Sequence, residues 1–193
     1  MGALLAGGAS TRMGRPKAEV KLGGRSLAQR AGHTLAQFTI EVVVVGGEPI
    51  ANLRRRHLPD ARAGGGPAAG IEVALIDAGI HVVALALDLP FVPPALLLAT
   101  LDVVGQGAPI CAPRSEQRWH PLCATYSQAA LAPLQERLDR GAFDLHGLLD
   151  EIATPLEAAA LQEFGDPAQT LLNINTPEDL ERAERLLAAH SGR

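Results

Sequence analysis

Four short stretches constrain the fold of this chain more than anything else in it: "GALLA" (2–6), "EVVVV" (41–45), "HVVALAL" (81–87) and "APICA" (108–112). Each is an almost unbroken aliphatic run of strand length. A strand with one wet face alternates apolar and polar residues, because successive side chains point to opposite sides of the sheet. These runs do not alternate, so both faces must be covered, as in a parallel sheet packed between helices.

Helical patterns lie between the runs. Ser26 is placed to cap a helix whose Leu27, Ala31, Leu35 and Phe38 share a face, and Pro93 and Pro94 open another that passes through Leu97 and Leu101 and stops at Gly105. The order βαβαβ predicts an α/β protein: a three-layer α/β/α arrangement around a Rossmann-like, mostly parallel sheet. After about residue 113 the pattern changes. "RWHPLCATY" (118–126) alternates like an antiparallel strand, which predicts a small antiparallel extension in the C-terminal half. Leu131, Leu134 and Leu138 predict a helix that Pro133 interrupts, and residues 142–165 give no clear pattern. In the tail, Thr176 caps a helix with Pro177 at its first position, Leu180, Ala183 and Leu187 on the buried face, and Glu181 and Arg185 paired outside. "AGGGPAAG" (63–70) reads as a loop and "RRR" (54–56) as a solvated helix face. With no repeat and no linker, residues 1–193 are expected to form one domain of two parts, 1–112 and 113–193.

Composition removes several classes of function. Aromatic residues make up 3% of the chain and the formal net charge is −4, which supplies neither a stacking platform for a nucleic acid strand nor a general polyanion surface. Any phosphate site must be local. No run approaches the ~18 apolar residues of a membrane span, and the opening "GALLA" is too short and lacks the basic flank of a signal peptide. Two cysteines, Cys111 and Cys123, give no disulfide framework and no zinc spacing, so a cytoplasmic location is expected, without nucleic acid or membrane partners. The histidines at 33, 57, 81, 146 and 190 likewise show no metal-ligand spacing. Trp119, the single tryptophan, reads as a buried core ring.

Ligands of open parallel sheets bind beyond the carboxyl ends of the strands. Three loops leave the strands there: Gly7 with Gly8, Gly46 with Gly47, and Asp88 within "DLPF" (88–91). The first continues as "LLAGGASTRMGRPK" (4–17). Its glycines let backbone N–H groups approach an anion, and Arg12 and Lys17 bring positive charge. Of 17 basic residues only Lys17 and Lys21 are lysines, which marks Lys17 further as a compact point charge. The stretch fits neither the P-loop nor the G-x-G-x-x-G spacing, so it is a third kind of phosphate loop.

"LAGGASTRMGRPK" resembles the signature loop L-A-G-G-x-S-x-R-M-G-x-x-K of nucleotidyltransferases with a nucleotide-diphospho-sugar transferase fold. Within that group "GPAAG" (66–70), "DLPF" (88–91), "RWHPL" (118–122) and "NINTPEDL" (173–180) follow in the order seen in the molybdenum cofactor guanylyltransferases. The resemblance implies Mg²⁺-dependent transfer of GMP from GTP to the terminal phosphate of molybdopterin, with release of pyrophosphate. It implies that Leu5, Ala6 and Gly7 hold guanine and ribose, that Gly8 onward wraps the triphosphate, and that Arg12 and Lys17 bind its β and γ phosphates. Asp88 would hold Mg²⁺, Asp60 would contact the nucleotide, and Gly46, Gly66 and Pro67 would complete the nucleotide side. Asn173 and Asn175 would stand near the metal and the incoming phosphate, with Arg118 and His120 on the acceptor rim. Ala68 stands where the family has leucine, which predicts a roomier wall beside the base. The implied partners are GTP and molybdopterin or molybdenum cofactor, together with proteins that supply the cofactor and apo-molybdoenzymes that receive it. Open alternatives are a relative that uses CTP or another phosphorylated acceptor, and a nucleotide-binding sensor without turnover.

Overall fold

The computed structural model describes residues 1–7, 16–50, 53–62 and 64–191. Its centre is an eight-stranded sheet. In chain order the strands and longer helices are β1 (Gly2–Leu5), β2 (Lys21–Leu22), β3 (Arg25–Ser26), α1 (Leu27–Ala36), β4 (Val42–Val45), β5 (His57–Leu58), α2 (Gly66–Ala78), β6 (Val82–Ala86), α3 (Pro94–Gly105) and β7 (Ile110–Ser115). There follow β8 (Arg118–Trp119), β9 (Cys123–Tyr126), α4 (Leu131–Asp139), α5 (Leu145–Ile152), β10 (Ala153–Glu157), α6 (Ala158–Leu161), α7 (Pro167–Thr170) and α8 (Pro177–Ser191). The strand order is β10-β7-β9-β6-β1-β4-β5, with β8 added to β7, while β2 and β3 form a separate hairpin.

The apolar runs divide between two covered faces as their lack of alternation predicts. Ala3, Leu5, Val43, Val45, Val82 and Ala84 enter one core with α2, α4 and α5. Leu4, Val42, Val44, Val83 and Leu85 enter the other with α1, α3 and α6. The three-layer α/β/α reading therefore holds. α1 starts with a reciprocal cap, in which Ser26 Oγ accepts from the Gln29 N–H and the Gln29 side chain accepts from the Ser26 N–H. α3 runs over the span its prolines and glycine predict.

The antiparallel part differs from its sequence reading in place. "APICA" becomes β7, but β9 is wedged between it and β6 and runs antiparallel to both. "RWHPLCATY" splits at a turn into β8 and β9, and β9 is buried throughout because it lies inside the sheet. Pro133 sits in the first turn of α4, where its missing N–H is not needed, so that helix is unbroken. In "AGGGPAAG" α2 already begins at Gly66, so the loop reading fails from that glycine onward. The arginines 54–56 lie outside any helix, and Arg56 makes paired hydrogen bonds to Glu41 and Asp77. Residues 142–165, unassigned from sequence, hold α5, β10 and α6.

A third small core joins the two ends of the chain. Val20, Leu22 and Leu27 pack with Leu172, Ile174 and Ala183 of the C-terminal segment. The Gly23 N–H donates to Glu184 Oε1 at 2.9 Å across the same seam. Cys111 and Cys123 are buried free thiols. Among the described residues no helix is long and apolar enough to cross a membrane.

Candidate active site

β6, β1 and β4 lie side by side and parallel, with Leu5 opposite both Ala86 and Val45. The segments that follow them therefore leave the sheet at one rim, as the sequence predicts. β5 adds a fourth exit, because Leu58 pairs with Val45 two residues before Asp60.

On the β4 side the rim is compressed. Gly46 has φ +69, and a Cβ built on it would stand 2.9 Å from Asp60 Oδ1, so the carboxylate rests on a bare α-carbon. A Cβ on Gly70 would lie 3.1 Å from both Leu5 Cδ1 and Val45 Cγ1, which places the first turns of α2, with Gly66 and Pro67, over the ends of β1 and β4. Leu5 turns its side chain into the core, Ala6 is half-buried and Gly7 is exposed, so this corner offers mainly backbone. Ala68 is also in the core, 1% exposed, so the missing leucine widens no open wall. Arg62 fixes the turn after Asp60: its Nε and Nη2 donate to the buried Glu72 carboxylate of α2 at 2.7 and 2.8 Å, and its Nη1 to Asp139 at 2.7 Å.

Lys17 and Asp88 meet at the middle of the rim. Lys17 Nζ donates to Asp88 Oδ2 and to Asn175 Oδ1, both at 2.7 Å. The Ile174 N–H donates to the Asp88 carbonyl at 2.9 Å, tying the "NIN" segment to the end of β6. Asn175 is held by the cap of α8: its N–H and that of Thr176 donate to Asp179 Oδ2, and the Asp179 N–H donates back to Thr176 Oγ1. Asp88 Oδ1 is buried and has no hydrogen-bond partner among the described residues.

Beyond Asp88 a cleft of about 170 Å³ opens between the end of β6, the hairpin of β7 and β8, and α5. Its polar lining is Asp88, Asn173, Arg118, His120 and His146, with Trp119 in the wall. Burial, with the nearby charges of Arg118 and His146, holds the His120 pKa down at about 4, so its ring is neutral at pH 7. His120 Nε2 lies 2.8 Å from Ser115 Oγ. Trp119 is 5% exposed, as a core ring should be, and its Nε1 donates to Asp150 Oδ1 at 2.7 Å.

The fold thus brings Lys17, Asp88 and Asn175 into direct contact, gathers Arg118, His120 and Asn173 with Asp88 around one cleft, and sets Ala6, Gly7, Gly46, Asp60, Gly66 and Pro67 along the same rim. Gly8 and Arg12 lie outside the described residues. His146 escapes the sequence reading because it has no motif; only the packing of α5 on the sheet delivers it.

Residues 2–155 match a family model described as a MobA-like NTP transferase domain. The chain is 33% identical to a probable molybdenum cofactor guanylyltransferase of Pelotomaculum thermopropionicum, over 98% of this chain and 94% of that one. It is 34% identical to the molybdenum cofactor guanylyltransferase of Rhizobium johnstonii, over 97% and 93%. The crystal structure of molybdopterin-guanine dinucleotide biosynthesis protein A from Archaeoglobus fulgidus superposes with a TM-score of 0.84 at 26% identity, covering 97% of this chain and 98% of that one. With the rim loops, the cleft and these likenesses in agreement over nearly the whole length, the chain belongs to the molybdenum cofactor guanylyltransferase family of nucleotidyltransferases.

Proposed function

We propose that the chain transfers GMP from GTP to the terminal phosphate of molybdopterin or molybdenum cofactor, forming the guanine dinucleotide and releasing pyrophosphate. An oxygen of the acceptor phosphate bonds to the α-phosphorus of GTP as the bond to the β-phosphate oxygen breaks. The acceptor phosphate is ionised at neutral pH, so no general base is needed. The barrier is electrostatic: one anion must approach another. The observation that carries the reading is Asp88, which stands at once beside the Lys17 ammonium and in the wall of a cleft lined by Arg118, His120 and Asn173.

In this scheme the glycine-rich rim and Asp60 hold the nucleoside, while Lys17, with Arg12, balances the charge of the departing pyrophosphate. Arg118, His120 and Asn173 receive the acceptor phosphate. The oxygen donors fit Mg²⁺: Asp88 Oδ1 is buried without a hydrogen-bond partner among the described residues, and the Asn175 side-chain oxygen is close enough to share Lys17 with Asp88. Asp88 would hold the ion, with Asn175 or Asn173 beside it; bound there, Mg²⁺ withdraws charge from the phosphoryl oxygens. Buried reduced thiols at Cys111 and Cys123 support a cytoplasmic setting.

Incubation with molybdopterin and either GTP or CTP, followed by product analysis, tests the reading. The guanine dinucleotide and stoichiometric pyrophosphate are expected with GTP. A cytosine product, or no product with either nucleotide, overturns it.

A further inference from the structure

The acceptor cleft has two walls joined by a brace. One wall is the β7 and β8 hairpin with the turn after it, which presents Arg118 and His120. The other is the first turn of α5, which presents His146. Trp119, between Arg118 and His120 in sequence, donates its Nε1–H to Asp150 of α5, so one indole links both walls. Each wall is fixed separately as well. Tyr126, fully buried, donates its hydroxyl to the Pro121 carbonyl at 2.8 Å, and the His120 N–H donates to the Pro113 carbonyl at 3.0 Å. On α5, the Asp144 carboxylate accepts from the His146 and Gly147 N–H groups, while Leu145, Leu148 and Leu149 are buried against the sheet. The imidazole of His146 is therefore delivered from a rigid position.

The charges in the cleft are lopsided. Among the described residues Asp88 is the single acid in its lining, at the end of β6, whereas Arg118, His120 and His146 bring nitrogen-bearing side chains to it. His120 Nε2 is taken up by Ser115, so beside its remaining ring nitrogen the cleft offers Arg118 and His146 as further nitrogen donors for an anion.

We propose that His146 is an acceptor-binding residue, which with Arg118 grips the terminal phosphate of the pterin acceptor from the side away from the nucleotide. The assignment rests on the guanylyl-transfer reading above and deepens it: affinity for the acceptor is set by a residue of α5, beyond the sequence motifs.

The test is equilibrium binding of molybdopterin without nucleotide, read by fluorescence of Trp119, the only tryptophan, together with binding of GTP. His146→Gln should weaken molybdopterin binding about 10- to 100-fold, the loss expected for one hydrogen bond to a charged group. GTP binding should stay within about twofold, as for a residue that touches only the acceptor. His146→Arg should restore most of the affinity for molybdopterin, and urea midpoints for both variants should match the wild type. If Arg118→Gln weakens molybdopterin binding and His146→Gln does not, His146 is excluded while the acceptor cleft stands. If neither substitution changes it, both the cleft assignment and this inference fall. If His146→Gln weakens GTP equally, or His146→Arg binds no better than His146→Gln, the residue acts through structure and the inference is overturned.

Discussion

Replacing Gly46 by alanine separates backbone strain from ligand contact. At φ +69 an alanine costs about 1–2 kcal/mol relative to glycine. In addition its Cβ would meet Asp60 Oδ1 at 2.9 Å and Oδ2 at 3.1 Å, against ordinary contacts of 3.4–4 Å, so the carboxylate must retreat by about half an ångström. Asp60 is exposed and retreats cheaply, so the contact adds little to the stability loss. Gly79 supplies the control: its φ is +63, and a Cβ there meets nothing within 4 Å, at the far end of α2. In urea unfolding both variants should lose the same ~1–2 kcal/mol, to within about 0.5 kcal/mol. Binding of GTP should distinguish them, Gly46→Ala weakening it about tenfold and Gly79→Ala leaving it unchanged. Asp60→Ala should weaken it to a similar degree, and adding Gly46→Ala to that background should cost little more, because the carboxylate it displaces is gone. Fully additive losses, or unaltered GTP binding by Gly46→Ala, would show that Asp60 does not touch the nucleotide.

Lys17→Ala should lower kcat about 10²–10³-fold at saturating GTP, by analogy with loss of one preorganised donor; near-normal turnover refutes its role. Asp88→Asn should abolish the dependence of turnover on added Mg²⁺, and a normal Mg²⁺ titration in the variant removes Asp88 from the metal site. His120 has a pKa lowered to about 4 in the fold, so the unfolded chain binds its proton first. Its contribution is full above about pH 6.5 and fades towards pH 4, by about 1–2 kcal/mol after allowance for partial exposure; His120→Asn should flatten urea stability over that window. Glu116 and Gln117 turn the hairpin before Arg118 at φ 49 and 62, where Asn-Gly is preferred. The double substitution Glu116→Asn, Gln117→Gly should raise stability by about 1 kcal/mol, measured by the urea midpoint.

The sequence revealed elements whose local chemistry and tertiary role agree. β1, β4 and β6 are aliphatic because both their faces are covered, and α1, α3 and α8 carry their own stops and caps. β5 is only two residues long and owes its existence to pairing with Val45. α2 shows no apolar stripe, since the sheet takes one side of it and α4 another, and its Gly-Pro start looks like a loop. α5 passes into β10 at Ala153 without a glycine, because pairing with β7 rather than a local breaker ends the helix. The candidate site divides the same way. Lys17, Asp88, Asn173 and Asn175 stand in motifs, whereas His146, Arg62 and the Trp119 brace become visible only when the chain is folded.

The hydrogen bond from Lys17 to Asn175 joins positions 158 residues apart, and that separation has a consequence for biogenesis. A chain emerging from the ribosome can pair its central strands early, but the Lys17–Asn175 clasp is unfinished until the segment that seats Ala183 against Val20 and Leu22 has been made. Nascent or prematurely terminated chains would therefore carry the rim without the clasp that closes its middle.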